Sequence, residues 1–300
     1  MRCNMKFKKW YETMKEAAYK DACYVETQLG LIHYTDIGPK NAPVILHVHG
    51  SPAGAEIGPI FFGDFVKKGY RVITPSRPGF LGTPLSAGES IKDQGRFLNV
   101  FCKSLGLSDV TVHAWSGGGP PAIQFAMDYP NIINGLILYC AVGDTWVHRI
   151  STFERMLLSD RGIWILHTLS KWMPEQFRKK SAEELGVNYD YVVKDEKRVE
   201  LLDKFFEMTA PPSLRNPGSF NDIKNYSEMK SFDFSKMHVP SLVLFSPSDN
   251  QLDLIHGDKP GYGIQNVEYL KFKKGGHMPS IDEDAGLVLE TMVAFIRKHK

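Results

Sequence analysis

Short apolar runs and segments of helical period take turns along most of this chain, with brief connections between them. In order come the run Val44–Val48, a helical segment near Ile57–Lys68, Arg71–Thr74, a helical segment near Ile91–Leu105, Val110–Ala114, a helical segment near Pro121–Tyr129, and Gly135–Tyr139. Strands that alternate with helices in this way form a mainly parallel sheet covered on both faces. Ahead of them, Tyr24–Leu29 and Leu31–Asp36 flank Gly30 and read as a hairpin. Met5–Ala22 reads as a short amphipathic helix packed on the outside.

The alternation stops after Val142. From Asp144 to Asp233 the pattern is helical, with Trp146, Phe153, Trp164, Leu166 and Trp172 among its apolar residues. Pro174, Pro211-Pro212 and Pro217-Gly218 divide it into pieces. Strand order returns with Ser241–Phe245 and Val267–Phe272, and a helix over Asp284–Lys298 closes the chain. One α/β core with an inserted helical segment accounts for this order more simply than a separate C-terminal domain. The expected core is 1–143 plus 234–300, with 1–23 as a helical extension and 144–233 as the insertion.

One turn carries chemistry. Strand Val110–Ala114 runs into Trp115-Ser116-Gly117-Gly118, and a helix begins near Gly119. A nucleophile on such a sharp turn needs small residues two places before and after it, which Ala114 and Gly118 supply. The helix N-terminus behind Ser116 favours developing negative charge.

A serine nucleophile needs a base, and the base needs an orienting acid. Asp249 lies just past the strand Leu242–Phe245, and His277 lies on the loop after Val267–Phe272. Carboxyl ends of parallel strands share one edge of the sheet, where ligands bind. Asp144 and Asp253 are alternative acids, the first following the strand Gly135–Tyr139, the second four residues beyond Asp249. Of the 10 histidines, His33, His47, His113, His148, His167, His238, His256 and His299 stand in strands, helices or termini without a partner pattern.

Together these motifs resemble the α/β-hydrolase superfamily. They are His49-Gly50-Ser51-Pro52, Ser76-Arg77-Pro78-Gly79-Phe80, Ala114-Trp115-Ser116-Gly117-Gly118-Gly119, and Asp249 with His277, in the order Ser, Asp, His. The resemblance covers Tyr24 to the C-terminus and implies that 144–233 is a variable helical cap. It also implies an oxyanion hole from the N–H groups of Gly117 and Ser51, a candidate cis bond before Pro52, and a structural role for Arg77. Phe80-Leu81-Gly82-Thr83 departs from the family pattern by one inserted residue.

Serine at the elbow, rather than aspartate, points to acyl transfer to water, with Ser116, Asp249 and His277 as the catalytic set. Trp115 and Met278 flank catalytic positions, and they and Trp146 are the expected substrate contacts. A carboxylic ester of a small apolar molecule is the expected substrate. Alternatives are a proline-iminopeptidase-like or C–C bond hydrolase, and a non-catalytic small-molecule receptor. No metal or organic cofactor is expected.

Composition narrows the partners. Thirty-six basic against 34 acidic residues give a net charge of +2, which supplies no global attraction to nucleic acid. No apolar stretch is long enough to span a bilayer. Cys3, Cys23, Cys102 and Cys140 are scattered and form no C-x-x-C pair. Without a secretory signal, a cytoplasmic location is the expectation.

Overall fold

The computed structural model describes the backbone of residues 2–300 and the side chains of residues 4–300; Met1 and the side chains of Arg2 and Cys3 lie outside the described residues. Eight strands form one sheet: β1 Cys23–Thr27, β2 Gly30–Ile37, β3 Val44–Val48, β4 Arg71–Pro75, β5 Val110–Ser116, β6 Ile133–Ala141, β7 Ser241–Phe245 and β8 Val267–Lys271. Their spatial order is β1-β2-β4-β3-β5-β6-β7-β8. β2 is antiparallel to both β1 and β4, and the other pairs are parallel.

The helices are α1 Arg2–Ala18, α2 Ile57–Phe61, α3 Gly63–Lys67, α4 Ile91–Ser104, α5 Gly119–Asp128, α6 Thr152–Leu157, α7 Asp160–Ser170, α8 Pro174–Leu185, α9 Tyr189–Val192, α10 Glu196–Glu207, α11 Asn216–Glu228, α12 Ile255–Gly263 and α13 Ala285–Lys298. Between β6 and β7 the described chain holds α6 to α11 and no strand.

Successive strand residues point to opposite faces, and each face has its own apolar layer. Leu46, Ile73, Val112, Leu138 and Val243 pack with Phe97, Phe101 and Phe125 of α4 and α5. Ile45, Val72, Ile137, Leu242 and Leu244 pack with Phe65 of α3 and Val288, Met292 and Phe295 of α13. Covering both faces makes the central strands continuously buried, which is why they read as apolar runs rather than alternating ones.

Several boundaries differ from the sequence expectation. The first helix ends at Ala18, before the turn at Lys20–Asp21. Gly30 is not the hairpin turn: Thr27 pairs with Gly30, and Gln28-Leu29 make the two-residue connection. The expected helix Ile57–Lys68 is two short ones, α2 and α3, broken at Phe62 ahead of Gly63. β6 begins earlier and ends later than expected, and near its end Cys140 is an extra residue opposite the Trp115–Ser116 step. Such a bulge beside a strand end re-aims the chain locally.

Candidate active site

The parallel strands deliver the site to one edge. β5 ends on Ser116, whose φ of +53° lies in the left-handed region. A serine held there carries strain of about 1–3 kcal/mol, which the surrounding packing must impose. Two close approaches show how. A methyl group on Gly118 would lie 2.1 Å from the Val48 carbonyl oxygen, and one on Gly50 would lie 2.7 Å from Ser116 Cβ. Only glycine lets the end of β3 and the Ser116 turn meet at that distance. The helix α5 starts directly behind, with Pro120 and Pro121 in its first turn where no N–H is needed.

His277 Nδ1 donates to Asp249 Oδ2 at 2.8 Å, and both side chains are buried. The other carboxylate oxygen, Oδ1, accepts from the backbone N–H groups of Gln251 and Leu252 at 2.8 and 3.0 Å. A carboxylate fixed by two backbone donors holds the imidazole in the tautomer that leaves Nε2 unprotonated. Of the alternative acids, Asp144 pairs with Lys259 and Asp253 is exposed on the surface.

The backbone of His277 is held as well. Its N–H donates to Leu185 O at 2.7 Å, and its carbonyl accepts from Trp115 Nε1 at 3.0 Å. Leu185 ends α8, whose last carbonyls need partners from outside the helix. They find them here: Asn250 Nδ2 reaches Glu183 O, Gln251 Nε2 reaches Glu184 O, and His277 N reaches Leu185 O. The end of α8 therefore docks on the loops that carry Asp249 and His277.

The loop after β3 is fixed by different means. The Ser51–Pro52 bond is cis. His49 donates from Nδ1 to Gly50 O at 2.8 Å and accepts at Nε2 from the Arg77 N–H at 2.9 Å. Burial holds this ring well below the usual histidine range, and Arg77 pushes the same way. With both ring nitrogens engaged, His49 is a structural group. The Arg77 guanidinium is buried and paired with Asp222 on α11, through contacts of 2.9 and 2.6 Å. Burial opposes the Arg77 charge, and the Asp222 carboxylate more than offsets this, so its pKa stands above the usual arginine value.

Ser116, His277, Trp115, Gly50 and Ser51 line one small cavity of about 40 Å³. Its remaining wall comes from Pro52, Ala53 and Ile57, and from Phe205, Met208 and Thr209 at the end of α10. Among these residues there is no lysine, arginine, aspartate or glutamate. Behind Met208 lies a wider cavity of about 430 Å³ between α1, α2 and α10.

Two expected substrate contacts are not brought there. Trp146 stacks on His148 and packs with the cluster of Val142, Tyr226, Phe245 and Leu252. Met278 is fully buried in the apolar layer under α13 and does not line the cavity. Of the other aromatic residues in the insertion, Phe153 and Trp172 are exposed, and Trp164 packs on Phe7 of α1. Their apolar character marked helix packing and surface, whereas the cavity wall is built by the less conspicuous Phe205-x-x-Met208-Thr209. Sequence reasoning also missed Asp222 and Tyr226. Their i, i+4 spacing on one helix face was legible, but the buried arginine opposite them was not.

The geometry has counterparts. A family model described as "alpha/beta hydrolase fold" matches residues 43–184. An uncharacterized hydrolase, YcgS, of Bacillus subtilis (strain 168) is 24% identical, the alignment covering 89% of this chain and 95% of that one. A 2-hydroxy-6-oxo-6-phenylhexa-2,4-dienoate hydrolase of Comamonas testosteroni is 27% identical over 82% of this chain and 85% of its own. The solved structure of an alpha/beta hydrolase fold protein from Nakamurella multipartita superposes with a TM-score of 0.83 at 24% identity, covering 92% of this chain and 99% of that one. An esterase from Exiguobacterium antarcticum gives 0.69 at 18% identity, covering 91% and 98%. At these identities the two structures speak to the fold.

Proposed function

We propose that this chain, which belongs to the α/β-hydrolase superfamily, is a serine hydrolase that cleaves a carboxylic ester of a small, uncharged, mostly apolar substrate. The observation that carries the reading is the convergence of Ser116, His277 with its Asp249 partner, and the Ser51 and Gly117 loops on one cavity. In the proposed reaction His277 Nε2 takes the Ser116 hydroxyl proton as Oγ bonds to the ester carbon. The N–H groups of Gly117 and Ser51 hold the resulting oxyanion. Collapse breaks the ester C–O bond, and His277 returns the proton to the departing alcohol. Water then repeats the sequence on the acyl-enzyme and frees the acid. Asp249 orients the imidazole and stabilises the imidazolium while it exists.

An uncharged substrate fits the cavity, because no ionic side chain lines it. An iminopeptidase needs a carboxylate for the substrate amine, and this wall offers none. A space of about 40 Å³ takes only a few heavy atoms. Met208 lines both this cavity and the wider one behind it, where Lys20, Lys197, Lys204 and Arg215 stand with Asp21, Glu56, Glu200 and Glu207, so the apolar requirement applies to the part of the substrate that meets Ser116. In this reading 144–233 is a cap that supplies the pocket wall from α10.

Similarity to the dienoate hydrolase of Comamonas testosteroni favours a second reading, a C–C bond hydrolase using the same serine. That relative's named substrate is a carboxylate; the cavity at Ser116 has no cation for it, and Lys20, Lys197, Lys204 and Arg215 line the wider space behind Met208. The test compares p-nitrophenyl esters of graded chain length with a dienoate in wild type and Ser116→Ala. Ester turnover that vanishes in the variant is the expected result. Unchanged turnover removes the mechanism, and a clear preference for the dienoate selects the second reading.

A further inference from the structure

We propose that Asp222 and Tyr226 on α11 are positioning residues for the oxyanion hole, which is complete only while α11 is docked on the core. The inference rests on the reading of Ser51 and Gly117 as the oxyanion donors. Ser51 and Gly117 each stand three residues beyond Val48 and Ala114, the last pair of the β3–β5 ladder, so they lie in loops that the ladder itself does not bond. Both are bonded to the same helix. Ser51 Oγ donates to Asp222 Oδ2, and the Tyr226 hydroxyl donates to the Gly117 carbonyl. Asp222 and Tyr226 are one helical turn apart and both are buried, so α11 presents them as a pair.

Arg77 joins the two contacts into one cluster. Besides both Asp222 oxygens, it reaches Tyr226 Oη at 3.3 Å, Gln94 Oε1 at 3.2 Å, Ser51 Oγ at 3.3 Å and His49 O at 2.7 Å. The His49-Gly50-Ser51 loop is thereby held at three successive residues: the His49 carbonyl by Arg77, the Gly50 carbonyl by the His49 ring, and the Ser51 hydroxyl by Asp222 and Arg77. A methyl group placed on Gly117 would lie 3.4 Å from Ser51 N and 3.6 Å from Asp222 Oδ2, so the two donors and the carboxylate crowd one point. A bare carboxylate so close would oppose an oxyanion by like-charge repulsion. Its bidentate pairing with Arg77 cancels that charge, which leaves geometry as its contribution. Preorganised donors are effective only when held at the position the oxyanion will occupy.

The test is steady-state hydrolysis of a p-nitrophenyl ester by Tyr226→Phe, Asp222→Asn and Ser51→Ala, with melting curves on each. Tyr226→Phe removes only the hydroxyl, and Ser51→Ala removes only Oγ while keeping the N–H. Each is expected to lower kcat by roughly 10- to 100-fold with KM within twofold, since the loss falls on the transition state. Asp203→Asn, which breaks the half-buried Arg178–Asp203 pair elsewhere in the insertion, controls for general loosening and is expected to leave kcat unchanged. Asp222→Asn combined with Ser51→Ala should cost no more than the larger single loss, because both break one contact. If Asp222→Asn does not fold, Tyr226→Phe and Ser51→Ala decide. Folded Tyr226→Phe and Ser51→Ala proteins with wild-type kcat overturn the proposal. A wild type with no ester turnover and no Ser116 adduct overturns instead the reading on which it rests.

Discussion

At the scale of single residues, the Ser116 turn is a matter of clearances. Ala114 and Gly118 were expected to be small because a strained elbow needs room, and their surroundings show what fills it. The Gly118 position meets backbone, with Val48 O 2.1 Å from any added methyl group. Backbone in a packed sheet does not retreat cheaply. The Gly50 position meets the Ser116 side chain first, 2.7 Å from Cβ and 3.2 Å from Oγ, and backbone only at the looser 3.0 Å of Trp115 O. The two glycines should therefore fail differently. Gly50→Ala is expected to remain folded, with a melting temperature within a few degrees of wild type, and to lose on the order of 100-fold in kcat/KM through displacement of Ser116. Gly118→Ala is expected to lose the fold itself. Thermal melts beside ester kinetics check this, and a fully active Gly50→Ala would contradict it. At this scale the placement of Ser116, Asp249 and His277 at one edge of the sheet was legible, because strand-to-loop transitions place residues without any knowledge of packing. Trp146 and Met278 were not, because a side chain's neighbours depend on how distant segments meet.

At the scale of elements, the sheet was legible and the insertion was not. Parallel strands announce themselves as buried apolar runs, and their connections limit where they go. The insertion has no such rule, and its helices choose faces through pairwise contacts. Two of those contacts organise the site: the end of α8 on the His277 loop and α11 on Arg77. A third involves α1, which lies on α7. Phe7 meets Trp164 edge-on at 5.6 Å, Trp10 meets His167 edge-on at 5.6 Å, and Trp10 Nε1 donates to His167 Nδ1 at 3.3 Å. Aromatic contacts of this kind contribute about 0.5–1.5 kcal/mol each beyond the area they bury. Trp10→Ala should thus loosen α7 locally rather than unfold the core. Tryptic cleavage after Arg161 and Lys171 is expected to speed up about tenfold while the global melting temperature moves little, as local opening free energies differ from the global one. Unchanged cleavage would mean that α1 contributes nothing to holding α7.

At the scale of the whole molecule, the near-neutral charge conceals an uneven distribution of titrating groups. Six histidines are buried and held below the usual range, His256 among them, with burial as the first cause. Burial depresses His33 to about 4, His113 to about 3 and His167 to about 4, and it pushes His47 and His49 well down. Two of them form a pair, His47 Nδ1 to His113 Nδ1 at 3.0 Å, which requires one ring to accept. From about one pH unit above the free histidine pKa these groups are essentially neutral in both folded and unfolded chains. As pH falls below 6.5 the unfolded chain binds protons that the folded one refuses. Stability is then lost at up to about 1.4 kcal/mol per pH unit for each histidine until its folded pKa is reached. Melting temperature should therefore drop steeply between pH 6.5 and 5, before ordinary carboxylates titrate. A flat profile down to pH 4.5 would show that these histidines are not buried neutral.

A net charge of +2 goes with a small cavity at Ser116 whose lining carries no ionic group. The proposed chemistry turns on one atom, Ser116 Oγ. Intact-mass and peptide measurement after exposure to a fluorophosphonate tests it most directly. One adduct per chain is expected, located on Ser116, absent from Ser116→Ala and formed far more slowly by His277→Ala. Ester turnover without an adduct on Ser116, or an adduct that persists in Ser116→Ala, would contradict it.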